Sequence, residues 1–138
     1  MMNKMIRHTL SFMAVTFYLL IAVGSADETD VSTQEASITV TARQLHADYE
    51  ANGVAAEGRY EGEVLLVTGE VKTIDKAAYS DDVYVVLSAD WPGKIKCYFA
   101  KSNAGQASQL SKGEVITVKG MCDGKFGNEV ELKGCSVQ

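Results

Sequence analysis

Three cysteines are the residues of this chain best suited to covalent chemistry, because two thiols can be oxidised to a disulfide. They are Cys97, Cys122 and Cys135, and an odd number leaves one of them unpaired. Cys122 and Cys135 are expected at opposite ends of a hairpin about 20 Å long, whereas bridged cysteines have Cα atoms at most about 7 Å apart. We therefore predict a Cys97–Cys135 disulfide, aided by a bulge at Gly134, with Cys122 left over. The alternative is three buried free thiols.

A second group of side chains is suited to binding rather than to reaction. Tyr84 and Tyr98 lie in two neighbouring β-type segments, and Lys96 precedes Tyr98 by two positions. The period of two in a strand places all three on one face, away from the apolar positions. Aromatic rings on such a face can stack on bases or sugars. We predict that these three residues bind a ligand, together with Trp91 in the intervening turn. The alternative is that the tyrosines pack against another element and that Trp91 packs its own turn.

Common catalytic and metal-binding motifs are absent from the sequence. There is no G-x-S-x-G, no glycine-rich phosphate loop and no H-E-x-x-H. His46 has no second histidine or cysteine at ligand spacing, so we interpret it as a surface histidine. We predict no catalytic residue, no metal and no cofactor, and we expect that the protein is not an enzyme.

The elements that would position these residues are five short strands separated by turn-forming residues. A polar stretch at Lys101–Leu110 interrupts them and is long enough for about two helical turns. The order of three strands, a helix and two strands is that of the OB-fold, a five-stranded Greek-key barrel that is mainly β. The predicted strands are Val64–Ile74, Val83–Ser88, Ile95–Phe99, Glu114–Gly120 and Glu129–Val137.

The apolar positions at strand period predict the interior of the barrel. They are Val67, Val71, Val85, Leu87, Ile95, Phe99, Ile116, Val118, Val130 and Leu132.

An additional helix is expected before the barrel. Thr41 and Gln44 form a capping-box pattern, Leu45 and Tyr49 share one helical face, and Asn52-Gly53 is a typical C-terminal stop. We predict that this helix packs on the barrel as a support.

The first 37 residues are predicted to lie outside the folded domain. Lys4 and Arg7 precede the apolar run 10–23, and Gly24-Ser25-Ala26 supplies the small residues of a cleavage site. We predict a signal peptide at 1–26, cleaved after Ala26, a flexible acidic N-terminus at 27–37 and an OB-fold domain at 38–138. The apolar run is shorter than the roughly 20 residues of a membrane span, so we expect a periplasmic or secreted protein with no span after cleavage.

The charge balance weighs against a dedicated nucleic-acid-binding role. The chain carries 13 basic and 18 acidic residues, a net charge of −5. Cleavage after Ala26 would remove Lys4 and Arg7 and change the net charge to −7. Nucleic-acid binders gain much of their affinity from Lys and Arg contacts with phosphates, so nucleic acid is a disfavoured partner.

Several segments resemble one known family. Leu45–Asn52, Ala55–Tyr60, Val67–Val71, Cys97–Phe99, Lys119–Gly124 and Leu132–Cys135 are similar to the tRNA-anticodon-domain-like OB-fold family of bacterial exported proteins. The resemblance implies an envelope OB-fold protein and supplies no catalytic residues. Many members are lipoproteins, and this chain departs from them because no cysteine lies near the predicted cleavage site.

Two functions follow from these observations. The first is an exported, non-catalytic OB-fold binding module that captures an envelope ligand or protein on the outer face of the second and third strands. The alternative is an OB-fold protein that binds single-stranded nucleic acid through the same tyrosines. The net acidic charge favours the first, and the sequence does not identify the ligand.

Overall fold

The structure, a computed structural model, describes residues 30–138 as a closed barrel with helices packed on its outside. The chain forms β1 (Ile38–Thr41), α1 (Ala42–Ala51), α2 (Gly53–Tyr60), β2 (Val64–Lys76), β3 (Val83–Ser88) and β4 (Lys94–Phe99). A 3₁₀ turn (Lys101–Asn103) and the short helix α3 (Ala104–Ala107) then lead to β5 (Val115–Phe126) and β6 (Glu129–Val137).

Five strands close the barrel because the long strand β2 pairs on both sides. Its first half, Val64–Glu70, is antiparallel to β5, and its second half is antiparallel to β3. The remaining neighbours are β3–β4, the parallel pair β4–β6, and β6–β5. The predicted OB-fold is therefore confirmed, with a helix between its third and fourth strands. That helix is shorter than the predicted segment 101–110.

The barrel interior is the predicted one. All ten residues that the strand period assigned to the core are buried, with Ile116 the most exposed of them at 8%. Successive side chains of a strand point to opposite faces, so these residues all point inward. Leu45, Tyr49 and Tyr60 of the two N-terminal helices belong to the same buried cluster.

The predicted N-terminal helix is two helices in the structure. Thr41 caps α1 as expected, since its Oγ1 accepts a hydrogen bond from the Gln44 backbone N–H at 3.1 Å. Asn52 ends α1 and also begins α2, because its Oδ1 accepts a hydrogen bond from the Ala55 N–H at 3.1 Å. Asn is a favoured N-cap because its side-chain oxygen satisfies a free N–H of the first helical turn.

The strand β1 was not predicted. It pairs in parallel with β2, from Ile38 opposite Leu65 to Thr41 opposite Thr68. Four residues give too short an alternation to stand out from the sequence.

Residues 30–34 belong to the segment expected to be a flexible N-terminus, and they contact the barrel. Val31 is buried and its N–H donates to the Gly134 carbonyl at 3.2 Å. Asp30 accepts hydrogen bonds from Ser102 and Asn103. Hydrogen bonding, first of all from the Ser32 backbone N–H, lowers the pKa of Asp30. The predicted signal peptide, by contrast, lies outside the residues that the structure describes.

Candidate functional site

The outer face of β3 and β4 brings three of the four predicted binding residues together. Tyr84 and Tyr98 lie directly opposite each other in the antiparallel pair. Their ring centroids are 5.9 Å apart and the ring planes are inclined by 62°, an edge-to-face arrangement that aromatic pairs prefer. Both side chains are half-buried, so part of each ring remains available to a ligand.

Lys96 extends over both tyrosine rings. Its Nζ lies 4.4 Å from the centroid of Tyr84 and 5.2 Å from that of Tyr98, within the range of cation–π attraction. The Tyr98 side chain, and more weakly the charge of Glu129, raise the pKa of Lys96, although burial acts in the opposite direction. The ammonium group is therefore protonated at neutral pH and held on an aromatic surface.

Acidic residues flank this surface on β6. Glu131 is opposite Lys96 in the parallel β4–β6 pair, and Glu129 is opposite Lys94, with 3.6 Å between the Lys94 Nζ and the Glu129 Oε2. Burial raises the pKa of Glu131. The face thus offers aromatic rings with charges of both signs beside them, which suits a ring-containing ligand better than a phosphate chain.

Trp91 does not belong to this cluster. It lies in the 89–93 turn, beyond the end of the strands where Ser88 pairs with Lys94. Four strand positions separate that end from Tyr98, about 13 Å. The Trp91 side chain is 87% exposed, and it borders a hollow of about 260 Å³ with Arg43, His46 and Asn128.

The structure shows that the prediction of a surface position for His46 is wrong. The residue is only 6% exposed. The ring lies against Gly93, where an added Cβ would be 2.4 Å from the ring atoms. Only the glycine in the neighbouring turn allows α1 to approach so closely, and that contact is not visible from the helical pattern alone.

The three cysteines are buried and free in the structure. The Cys135 thiol is a neighbour of Cys97, and burial, together with that neighbouring thiol, raises the pKa of Cys135. Cys122 is elsewhere, with its Sγ 3.5 Å from the Tyr49 hydroxyl. The Cys97–Cys135 disulfide stays a prediction, and the two thiols that it requires are adjacent.

No metal centre is evident within residues 30–138, where no three histidine, cysteine or acidic side chains are close enough to share an ion. In the same part of the chain, no helix is long and apolar enough to cross a bilayer.

Comparison with known proteins identifies a family. The family model described as tRNA_anti-like matches residues 4–136. The comparison with curated proteins found no match. A crystal structure of a Klebsiella pneumoniae lipoprotein, proposed to bind nucleic acid, is similar with a TM-score of 0.60 and 20% identity, over 74% of this chain and 92% of that chain. At this identity the likeness is informative about the fold.

A second solved structure is a replication factor A related protein from Methanobacterium thermoautotrophicum. It has a TM-score of 0.40 and 21% identity, over 56% of this chain and 81% of that chain.

Proposed function

This chain belongs to the tRNA_anti-like family, and we propose that it is an exported, non-catalytic binding module that captures an envelope ligand or protein on the outer face of β3 and β4. The observation that carries this proposal is the position of Lys96 over the rings of Tyr84 and Tyr98. All three side chains point away from the barrel interior, so the core does not require them there.

The arrangement provides both parts of a recognition surface. The tyrosine rings offer apolar area and a polar hydroxyl edge at little cost in conformational entropy. Lys96, fixed in direction by the rings, offers a charge-assisted hydrogen bond. A ligand with a flat ring and an acidic or carbonyl oxygen matches these two features.

Export is supported by the N-terminal sequence and by the description of a similar protein as a lipoprotein. Lys4 and Arg7, the apolar run 10–23 and the Gly24-Ser25-Ala26 site have the composition of a signal peptide. The similar Klebsiella pneumoniae protein is a lipoprotein. The intact mass of protein from a periplasmic fraction tests export, and a chain that starts at Asp27 is the expected result. Retention of residues 1–26 in the membrane fraction would contradict it.

Single-stranded nucleic acid is the second candidate ligand, favoured by the nucleic-acid binding proposed for the Klebsiella pneumoniae lipoprotein. The acidic residues Glu129 and Glu131 beside Lys96 and the net charge of −5 weigh against it, because phosphates need cationic partners.

The binding test compares the wild type with Tyr84→Ala and Tyr98→Ala. Immobilised proteins are exposed to an envelope extract, and captured components are identified and then titrated. Each substitution is expected to weaken capture by about 5- to 150-fold, the effect of about 1–3 kcal/mol per stacked group. Tyr79→Ala is the matched control, since this tyrosine is fully exposed in the 77–82 turn. Equal capture by all four proteins would exclude this face as the site.

A parallel titration with an oligo(dT) of about 12 nucleotides separates the two candidates. Tight binding that falls steeply with added salt would identify nucleic acid as the ligand, because salt dependence reports phosphate contacts.

A further inference from the structure

Two neighbouring hollows meet outside the β3–β4 face. The Trp91 hollow, of about 260 Å³, lies between α1 and the 89–93 turn. A second hollow, of about 460 Å³, lies beside it and is bordered by Thr41, Thr68 and Ser88. Arg43 and Asp90 border both, so the two hollows adjoin along this ion pair. We call the two adjoining hollows the cleft.

Trp91 gives one end of the cleft an apolar wall. It is the single tryptophan of the chain, and its side chain is 87% exposed. Its position beside a concavity is the informative feature, because ligand sites are concave and are commonly lined by aromatic side chains. A flat indole face packs well against a ring that presents C–H groups.

The polar lining of the cleft offers both hydrogen-bond donors and acceptors. Arg43 donates from Nε and Nη2 to Asp90 Oδ1, at 3.0 and 2.8 Å, and both side chains remain largely exposed. Glu50 is similarly compensated by Lys125, with 2.7 Å between Oε1 and Nζ. Glu70, which also borders the larger hollow, has no ion-pair partner among residues 30–138. This surplus carboxylate disfavours a phosphate, and carboxylate oxygens can accept hydrogen bonds from a neutral ligand rich in hydroxyl groups.

His46 contributes an unsatisfied polar atom at the same place. Its buried Nε2 has no hydrogen-bond partner within residues 30–138, and it lies 3.8 Å from Glu50 Oε1. This separation is too long for a direct hydrogen bond, but a hydroxyl oxygen to one side of the pair, about 2.8 Å from each atom, can bond to both. Glu50 is about half exposed, so its side chain has room to admit that hydroxyl.

We infer that this cleft is an oligosaccharide-binding site, with one sugar ring stacked on Trp91 and hydroxyl groups bonded along Arg43, Asp90 and the His46–Glu50 pair. The inference does not depend on the β3–β4 face, which lies at the other end of the strands. The combined length of two hollows predicts that a trisaccharide binds more tightly than a monosaccharide.

Trp91 fluorescence tests the inference directly, because every change in tryptophan emission reports this one position. The protein that begins at Asp27 is titrated with cellotriose, maltotriose and chitotriose, and with the corresponding monosaccharides. We expect a saturable change with at least one trisaccharide below about 10 mM, and a weaker or absent response to its monosaccharide. No response to any of the three trisaccharides would overturn the inference.

Variants locate the binding by calorimetry, which does not need the tryptophan. Trp91→Ala and Arg43→Ala are expected to weaken trisaccharide binding at least tenfold, while circular dichroism shows the fold retained. Tyr79→Ala, a fully exposed aromatic in another turn, and Tyr84→Ala should bind as the wild type does. Unchanged affinity in Trp91→Ala, or a loss of affinity in Tyr84→Ala, would place the sugar elsewhere and overturn the inference.

Discussion

Cys135 is a neighbour of Cys97 in the core because the pairing of β4 with β6 shifts register between them. Cys97 is opposite Leu132, but Phe99 is opposite Cys135, so β6 uses one more residue than β4 over the same length. Gly134 allows this bulge, since its φ of 64° is costly for other residues. The bulge turns Cys135 into the core, where it meets Cys97.

The first prediction is that this pair forms a disulfide in an oxidising environment. Both thiols are fully buried, so we expect oxidation during folding rather than afterwards. Refolding with oxidised glutathione, which accepts the two electrons, should yield a Cys97–Cys135 bridge detectable by non-reducing peptide mapping. The bridge should add about 2–4 kcal/mol to the free energy of unfolding.

Cys122→Ala is the control for that experiment, because Cys122 lies beside Tyr49 instead and its loss should leave the bridge intact. Recovery of three free thiols after oxidative refolding, or a bridge that includes Cys122, would contradict the prediction.

The second prediction concerns the contact between α1 and the barrel at Gly69. An added Cβ there would be 2.9 Å from the Cβ of Ala42 and 3.1 Å from that of Leu87. Both neighbours are buried and have little freedom to move, so Gly69→Ala should displace α1. Overpacking of this kind costs about 1–3 kcal/mol, measured by chemical denaturation.

Gly58→Ala is the matched control for Gly69→Ala. Gly58 lies within α2, and an added Cβ meets nothing within 4 Å. A helix-interior alanine should therefore stabilise the protein by about 0.5–1 kcal/mol. Destabilisation by both substitutions to the same extent would show that close packing at Gly69 is not the cause.

The barrel could be predicted from the sequence because its strands have a clear period of two. Val83–Ser88 and Glu129–Val137 have the predicted bounds, and the period alone placed Tyr84, Lys96 and Tyr98 on a common face. In the fold, β3 and β4 are antiparallel neighbours, and their pairing brings Tyr84 opposite Tyr98.

Contacts between distant elements could not be predicted in the same way. His46 has a polar neighbour in sequence, Asp48, and nothing there shows that Gly93 covers its ring. The turn that contains Trp91 connects the strands of the two tyrosines in sequence. In the structure that turn lies at one end of β3 and β4, and the Tyr84–Tyr98 pair lies at the opposite end. The cleft that Trp91 shares with Arg43 depends on how α1 packs, which no local pattern encodes.

The last prediction is a pH dependence of stability centred on Glu131. Burial raises the pKa of this carboxyl, and Lys96 only partly offsets the effect. A raised pKa means that the folded state binds this proton more tightly than the unfolded state does. The contribution of Glu131 to stability is therefore complete below the unfolded pKa of about 4.3 and is lost as the pH rises through the folded pKa.

Glu131→Gln keeps the shape of the side chain and removes the charge. The variant should have a higher thermal unfolding midpoint than the wild type at pH 7, and the difference should shrink as the pH falls below the unfolded pKa of about 4.3, because the carboxyl then becomes protonated in both states. Comparing the two proteins at each pH cancels the other titrating groups. In a Lys96→Met background the gain at pH 7 should be larger, because the attraction that partly stabilises the carboxylate is gone. A difference independent of pH, or a variant less stable at pH 7, would show that the charge of Glu131 is favourable in the fold and that burial does not dominate.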